Sequence, residues 1–425
     1  MYRRLPRIKP RHIKLMTFVA LYMFCLISIH SSFFKENEQN FVENLKNIRL
    51  GTFSNPAQVK SPSSDCINIG MIIINLQKTE KIDEKFKANL EKTFNSIFKF
   101  SSGTPLHFII VTDKPSLSSV SLALAHIISK DLTTHAVLDQ SWRWRRRKGL
   151  PAIKLSFVDI DNILVKDIDF GNALKKHNIN GEDATKEKYA ADLFYIAPLY
   201  HLAFLSLDRL IFIDSSDLVF VSDVKDLQEQ FENIVDEAVM KVGLDLSPHY
   251  RSHLDNFIET DLDTHLGHPG RFQGLNTGVV LFDLEKMRNS VEYNNLLTPD
   301  AVNNLFKTFQ MKMTDGDQDW FTLLSFQNPH LFSILPCQFN TQISLQYWSD
   351  NKATFNSYHY CDVPSNIKIF HCNGCGPKPE HCGSPPARVA EYREHINLFI
   401  QVITLENFRA FLGQVQDSDG EDIAY

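Results

Sequence analysis

The chain has 425 residues, 43% of them hydrophobic and 22% charged. These are globular values, enough to bury a sizeable core in one large domain or two ordinary ones. The formal net charge of -6 is spread along the sequence, which argues against a nucleic-acid partner.

Six basic residues, Arg3, Arg4, Arg7, Lys9, Arg11 and Lys14, precede Leu15–Phe34, a run free of Asp, Glu, Lys and Arg. At ~1.5 Å per residue such a run just crosses a hydrocarbon core of ~30 Å. No small-x-small cleavage site follows Ile29. The pattern therefore predicts a type II signal anchor, with 1–14 cytosolic and 15–34 in the bilayer. Residues 35–65 are polar and end rich in Ser and Pro, the composition of a stem. Everything beyond would be lumenal and oxidising, so Cys66, Cys337, Cys361, Cys372, Cys375 and Cys382 are candidates for disulfides. No Asn-x-Ser/Thr sequon occurs.

The first buried-strand signal is Ile67–Asn75, nearly continuous in apolar residues. A helical period follows over Ile82–Phe98, on Ile82, Phe86, Leu90, Phe94 and Ile97. Leu106–Val111 reads as a second strand, Ser116–Ser129 as a second helix and Lys154–Asp159 as a third strand. This alternation predicts an α/β fold, a mostly parallel sheet flanked by helices. Ser141–Lys148 (Ser-Trp-Arg-Trp-Arg-Arg-Arg-Lys) reads as a solvated loop before the third strand. Residues 183–207 carry one long helical pattern, followed by the strand Arg209–Ile213 and a further apolar run at 275–283. Helices are expected over 296–311 and 317–326, and the acidic, thinly apolar tail after Gly413 reads as disordered. The main domain thus spans 66–390, with 391–425 an extension and acidic tail.

In sheets of this kind, ligands bind beyond the carboxyl ends of the strands. Leu210-Ile-Phe-Ile-Asp214-Ser-Ser-Asp217 delivers two carboxylates directly off an apolar strand. Their mutual repulsion and desolvation are offset by a hard divalent cation, for which oxygen ligands suit Mn²⁺ or Mg²⁺. Asp159/Asp161 and Asp261/Asp263 are pairs of the same type, so the company further along the chain has to discriminate. Gly274-Leu-Asn276-Thr-Gly278 precedes an apolar run, and its glycines would let backbone approach a ligand. Gly316-Asp317-Gln318-Asp319 opens a helical stretch. His371 ends an apolar segment before Gly374 and Lys378; imidazole can complete a metal site and lysine can meet phosphate.

On these residues, in this order, the chain resembles the family 8 glycosyltransferases, which are retaining enzymes of GT-A (Rossmann-like) fold. The likeness covers roughly 67–385. Within the family, Gly274–Arg288, Gly316–Thr322, Asn328–Phe332 and Val363–His371 are most similar to xyloside α-1,3-xylosyltransferases. The resemblance implies a Mn²⁺ held by Asp214, Asp217 and His371, Asp317 and Gln318 beside the donor sugar, and Asn276 near sugar or acceptor. It further implies Lys378 and Gly374 at the diphosphate and Asn75 at the uridine. The donor would be UDP-xylose and the acceptor a xylosyl-glucose glycan on EGF-like repeats, in the endoplasmic reticulum or Golgi lumen. Cys337 with Cys361, and Cys372 or Cys375 with Cys382, are the suggested bridges. One departure stands out: Asp-Ser-Ser-Asp is a residue longer than the family's D-x-D, so either Asp214 is reached through an insertion or Ser215 takes its place. Fold does not fix the donor, which leaves another UDP-sugar as an alternative, and the departure in the turn motivates a further one, a non-catalytic lumenal protein that binds nucleotide or glycan.

Overall fold

The computed structural model describes residues 52–74, 84–101, 103–130, 136–138, 142–144, 152–177, 195–245, 249–260, 273–342 and 367–372. The expected anchor and the acidic tail lie outside them, as do Asn75, Gly374 and Lys378. Among the described residues no helix is long and apolar enough to cross a membrane.

The apolar runs form the centre of one nine-stranded sheet. Ile67–Ile72 is β1, Leu106–Thr112 β2, Ile153–Asp159 β5 and Arg209–Ile213 β6, all mutually parallel in the order β6-β1-β2-β5. Nearly every residue of β1, β2 and β5 is buried, as strands covered on both faces require. The helix Glu84–Phe100 (α1) turns Leu90, Phe94, Ile97 and Phe98 inward, and the rings of Phe94 and Phe108 lie 4.8 Å apart. The second helix, α2, spans Leu117–Lys130.

The flanks are mixed rather than parallel. Ala136–Leu138 (β3) and Trp142–Trp144 (β4) extend the sheet antiparallel beyond β5, so part of the basic, aromatic segment expected to be a loop is strand. Cross-strand pairing has overridden a composition that locally looks solvated. On the other side Met240–Leu244 (β8) and Leu275–Asp283 (β9) run antiparallel to each other, with Phe332–Ile334 (β10) parallel to β8 at the edge. A second sheet of three strands, in the order β11-β12-β7, combines Leu218–Phe220 (β7), Thr341–Gln342 (β11) and Ile369–His371 (β12).

One helical expectation needs correction. The described part of 183–207 is a 3-10 turn at Ala197–Leu199 followed by the short helix Tyr200–Ala203. Pro198 has no N–H for an α-helical ladder, and this breaker was visible in the sequence. The helix expected over 296–311 is present as Pro299–Phe309 (α3), which begins where the Thr298 hydroxyl caps the Ala301 N–H and Pro299 takes the first helical position. Asp317–Gln327 (α4) follows, with Trp320 fully buried at 5.3 Å from the Phe170 ring. Cys337 is disulfide-bonded, whereas buried Cys372 is not part of a disulfide. The pairing of Cys372 with Cys382 is therefore not formed, and the alternative of Cys375 with Cys382 lies outside the described residues.

Candidate functional site

The parallel strand β6 ends at Ile213, and the chain bends through Asp214, Ser215, Ser216 and Asp217 before entering β7. The extra residue of Asp-Ser-Ser-Asp is taken up in that bend, which leaves both carboxylates on one side. β12 pairs antiparallel with β7 so that His371 stands opposite Leu218, and the Cys372 N–H donates to the Asp217 carbonyl at 2.8 Å. The small sheet is therefore what carries a histidine from the end of the described chain to the tip of β6.

His371 Nε2 lies 3.4 Å from Asp214 Oδ2 and 3.5 Å from Asp217 Oδ2. The imidazole is 2% exposed, the Asp217 side chain 20% and the Asp214 side chain 45%, so the triad grades from core to cavity mouth. Ligand atoms of all three fall within 4.8 Å of one another, a spacing that one cation at roughly 2.0–2.4 Å from each can bridge. His371 Nε2 and Asp217 Oδ1 are buried without a hydrogen-bond partner. Orphaned buried polar atoms are costly, and two oxygens with one imidazole nitrogen fit a divalent cation such as Mn²⁺. The electrostatics agree. Burial opposes a charge on His371, but the Asp217 and Asp214 carboxylates outweigh it and push the imidazole up to about 10. Burial and the neighbouring Asp217 charge raise Asp214. A proton on His371 thus occupies electrostatically the place a metal would take.

A cavity of about 400 Å³ opens beside the triad, lined by Asp214, Ser215, Ser216, Asp217, Thr277, Asp315, Asp317 and Gln318 over an apolar floor that includes Ile72 and Phe212. Asp317 is the first residue of α4, after Gly316 at φ 67, a left-handed conformation that suits glycine. Burial, then the Asp214 charge, push Asp317 up to about 8. Gln318 is held on both sides: its Oε1 accepts the Thr277 N–H at 3.1 Å, and its Nε2 donates to the Tyr250 hydroxyl at 3.2 Å. Asp319 faces inward. Its Oδ2 accepts the Thr314 and Asp315 N–H groups and its Oδ1 the Tyr250 hydroxyl. Asp319 builds the turn, and although it joins His249 and Asp315 in a second group of potential ligands, both of its oxygens are already bonded.

Asn276, expected beside sugar or acceptor, is 5% exposed and is not among the residues lining the cavity. Its side-chain oxygen accepts the Gly278 N–H at 3.2 Å and Asn340 Nδ2 at 2.9 Å. The glycines around it make room for side chains of the protein. A Cβ on Gly278 would stand 2.2 Å from His371 Cε1, and one on Gly274 would stand 1.9 Å from Tyr250 Cδ2. Of the decoy carboxylates, Asp159 is ion-paired with Lys114 at 3.4 Å and accepts the Asp161 N–H; Asp261 and Asp263 lie outside the described residues. Thr277, Asp315 and Ser216 line the cavity without having been singled out, since nothing in their spacing marks them.

Comparison with known proteins adds an independent line. The pattern of the family described as "Glycosyl transferase family 8" matches residues 82–381. Mouse (Mus musculus) xyloside xylosyltransferase 1 is 32% identical over 197 residues, 45% of this chain and 49% of that one. Chicken (Gallus gallus) xylosyl- and glucuronyltransferase LARGE1 is 25% identical over 276 residues, 64% of this chain and 29% of that one. The chain therefore spans half or less of the length of these relatives. Among solved structures, the apo form of the mouse xyloside xylosyltransferase 1 superposes with a TM-score of 0.60 at 22% identity, covering 74% of this chain and 99% of that one.

Proposed function

The chain belongs to glycosyl transferase family 8, and from that membership we propose that it transfers xylose, with retention, from UDP-xylose to a xylosyl-glucose glycan on EGF-like repeats, in an α-1,3 linkage. The observation that carries the reading is the convergence of Asp214, Asp217 and His371 on one point at the edge of the cavity, with two buried polar atoms left unsatisfied.

In this reading the three residues hold Mn²⁺, which neutralises charge on the donor diphosphate. Lys378 and Gly374 meet the same diphosphate and Asn75 the uridine. Asp317, at the start of α4, binds hydroxyls of the donor sugar. Gln318 faces the anomeric carbon opposite the leaving group. An amide is a poor nucleophile, and the Thr277 N–H already draws on this one's oxygen. Retention then proceeds through an oxocarbenium-like transition state, with Gln318 lending its carbonyl dipole. The acceptor hydroxyl enters on the leaving-group side and gives its proton to the departing phosphate oxygen. Xylose differs from glucose in lacking the exocyclic CH₂OH, so selection between them is a matter of filled space near C5.

A second reading, another UDP-sugar donor, is favoured by the xylosyl- and glucuronyltransferase among the relatives. A non-catalytic role loses its motive, because the longer Asp-Ser-Ser-Asp turn still presents both carboxylates to His371. The test is transfer by the full chain from UDP-xylose, UDP-glucose, UDP-galactose and UDP-glucuronate, with and without Mn²⁺. Mn²⁺-dependent transfer from UDP-xylose is expected. Preference for another donor overturns the xylose assignment, and no turnover from any donor overturns the enzymatic one. The same proposal keeps 1–14 cytosolic, 15–34 as a membrane anchor, 35–65 as a stem and 66–390 in the lumen of the endoplasmic reticulum or Golgi. Alkaline carbonate should leave the chain in the membrane pellet, and release into the supernatant contradicts the anchor.

A further inference from the structure

A buried chain of amides behind His371 decides which way that imidazole faces. It starts from a donor whose role is beyond doubt, the backbone N–H of Gly278. That N–H points at Asn276 Oδ1 at 3.2 Å, which identifies this atom as the acceptor end of the Asn276 amide. Asn340 lies 2.9 Å from the same oxygen and so must present its NH₂ there, with a second contact of 3.3 Å to the Asn276 carbonyl. The other end of Asn340 is then its oxygen, 2.9 Å from His371 Nδ1. An amide oxygen can only accept, so Nδ1 carries a proton and donates it. Nε2 remains as the nitrogen that faces Asp214 and Asp217.

Strand geometry places these groups. Val242 and Gly243 of β8 pair with Val280 and Asn276 of β9, which leaves Thr277, Gly278 and Val279 without a partner on β8. The bulge this creates re-aims Asn276 toward the interior. Gly278 serves both sides of the triad: its missing side chain admits the His371 ring, and its carbonyl accepts the Asp214 N–H at 2.9 Å. Asn340 is 1% exposed, so none of its bonds is shared with solvent.

We infer that Asn340, oriented by Asn276 and Gly278, is a positioning residue that fixes the tautomer and ring orientation of His371 for cation binding, and that Asn276 belongs to this relay rather than to the sugar pocket. The inference rests on the reading of Asp214, Asp217 and His371 as metal ligands. Partners that hold the far nitrogen of a ligating histidine typically matter about 10–100-fold in metal affinity.

Titration of the full chain with Mn²⁺ alone, following free Mn²⁺ by electron paramagnetic resonance, separates this role from a merely structural one. Asn340→Ala and Asn276→Ala should each weaken Mn²⁺ binding about 10–100-fold in protein that remains folded. Asn276→Asp should bind nearly as well as the unsubstituted chain, because the relay asks that side chain only to accept. Thermal melting of each variant reports folding separately, and if Asn340→Ala does not fold, the Asn276 pair carries the test. Alanine variants that melt earlier yet bind Mn²⁺ with unchanged affinity overturn the relay. An unsubstituted chain that leaves Mn²⁺ free overturns the metal site and the relay together.

Discussion

Two histidines, at opposite ends of the strands, are almost equally buried, yet burial leaves one neutral and the other protonated. His107, near the start of β2, is 0% exposed, and His371, at the end of β12, is 2% exposed. The ring nitrogens of His107 hydrogen-bond only uncharged groups, Asn68 Oδ1 at 3.1 Å and Ser156 Oγ at 2.9 Å, and burial, helped by the charge of Lys154 opposite it on β5, pushes it down to about 3. His371 meets two carboxylates and is pushed up to about 10. Burial by itself does not make a histidine functional; the charges it is buried with decide. The carboxyl ends of β2, β5 and β6 lead to Asp113, Asp159 and Asp214, whereas the amino ends near His107 offer amide and hydroxyl. Of these carboxylates Asp159 is already paired with Lys114, whereas Asp214 stands with Asp217 and His371, where two buried polar atoms are left unsatisfied beside the cavity.

The largest break in this contrast comes from removing a charge at the carboxyl end. Asp217→Asn should lower metal-dependent kcat/KM by at least about a hundredfold, the scale on which losing one fixed partner of a developing charge acts, with the melting temperature little changed. Full activity in that variant would end the assignment of the site. Gly278→Ala attacks the same end through space. A Cβ 2.2 Å from His371 Cε1 forces the ring aside, and overpacking of this kind costs about 1–3 kcal/mol. Denaturant titration should show that loss together with weakened Mn²⁺ binding.

A subtler consequence concerns protons. Because His371 holds a proton up to about 10 without metal, Mn²⁺ uptake near neutral pH should release about one proton. Calorimetry in buffers of different protonation enthalpy reads this directly, and a heat independent of buffer contradicts it. A last effect, spread over several pH units, contrasts the two histidines in metal-free protein. His107 has a folded value below its ordinary 6.5, so its contribution to stability is present above that pH and is lost as pH falls toward about 3. His371 has the opposite sign: its contribution is complete below 6.5 and is lost as pH rises through about 10. Each slope is bounded by ~1.4 kcal/mol per pH unit. His107→Gln should flatten the acid side of the denaturation profile and leave the alkaline side alone.

This contrast also marks how far the sequence could be read. The central strands were legible because they are buried on both faces and therefore continuous in apolar residues, and Asp214 and Asp217 were legible because they leave such a strand. His371 was reached through its glycine- and lysine-containing sequel, although its place opposite Leu218 depends on a β7–β12 pairing that no local pattern encodes. Asn340 was invisible: an asparagine before a short strand carries no signal until the bulge in β9 brings Asn276 against it. The glycines of 274–278 were noticed, but as space for a ligand, whereas Tyr250 and His371 fill that space. The strand within the basic, aromatic segment was missed because a pairing partner, not composition, makes Trp142–Trp144 extended.

The most direct measurement is anomalous diffraction from crystals of the protein grown with Mn²⁺. A peak between Asp214, Asp217 and His371, at roughly 2.0–2.4 Å from each, is the expected result. A peak at His249 and Asp315 instead, or none at either place, would contradict the account.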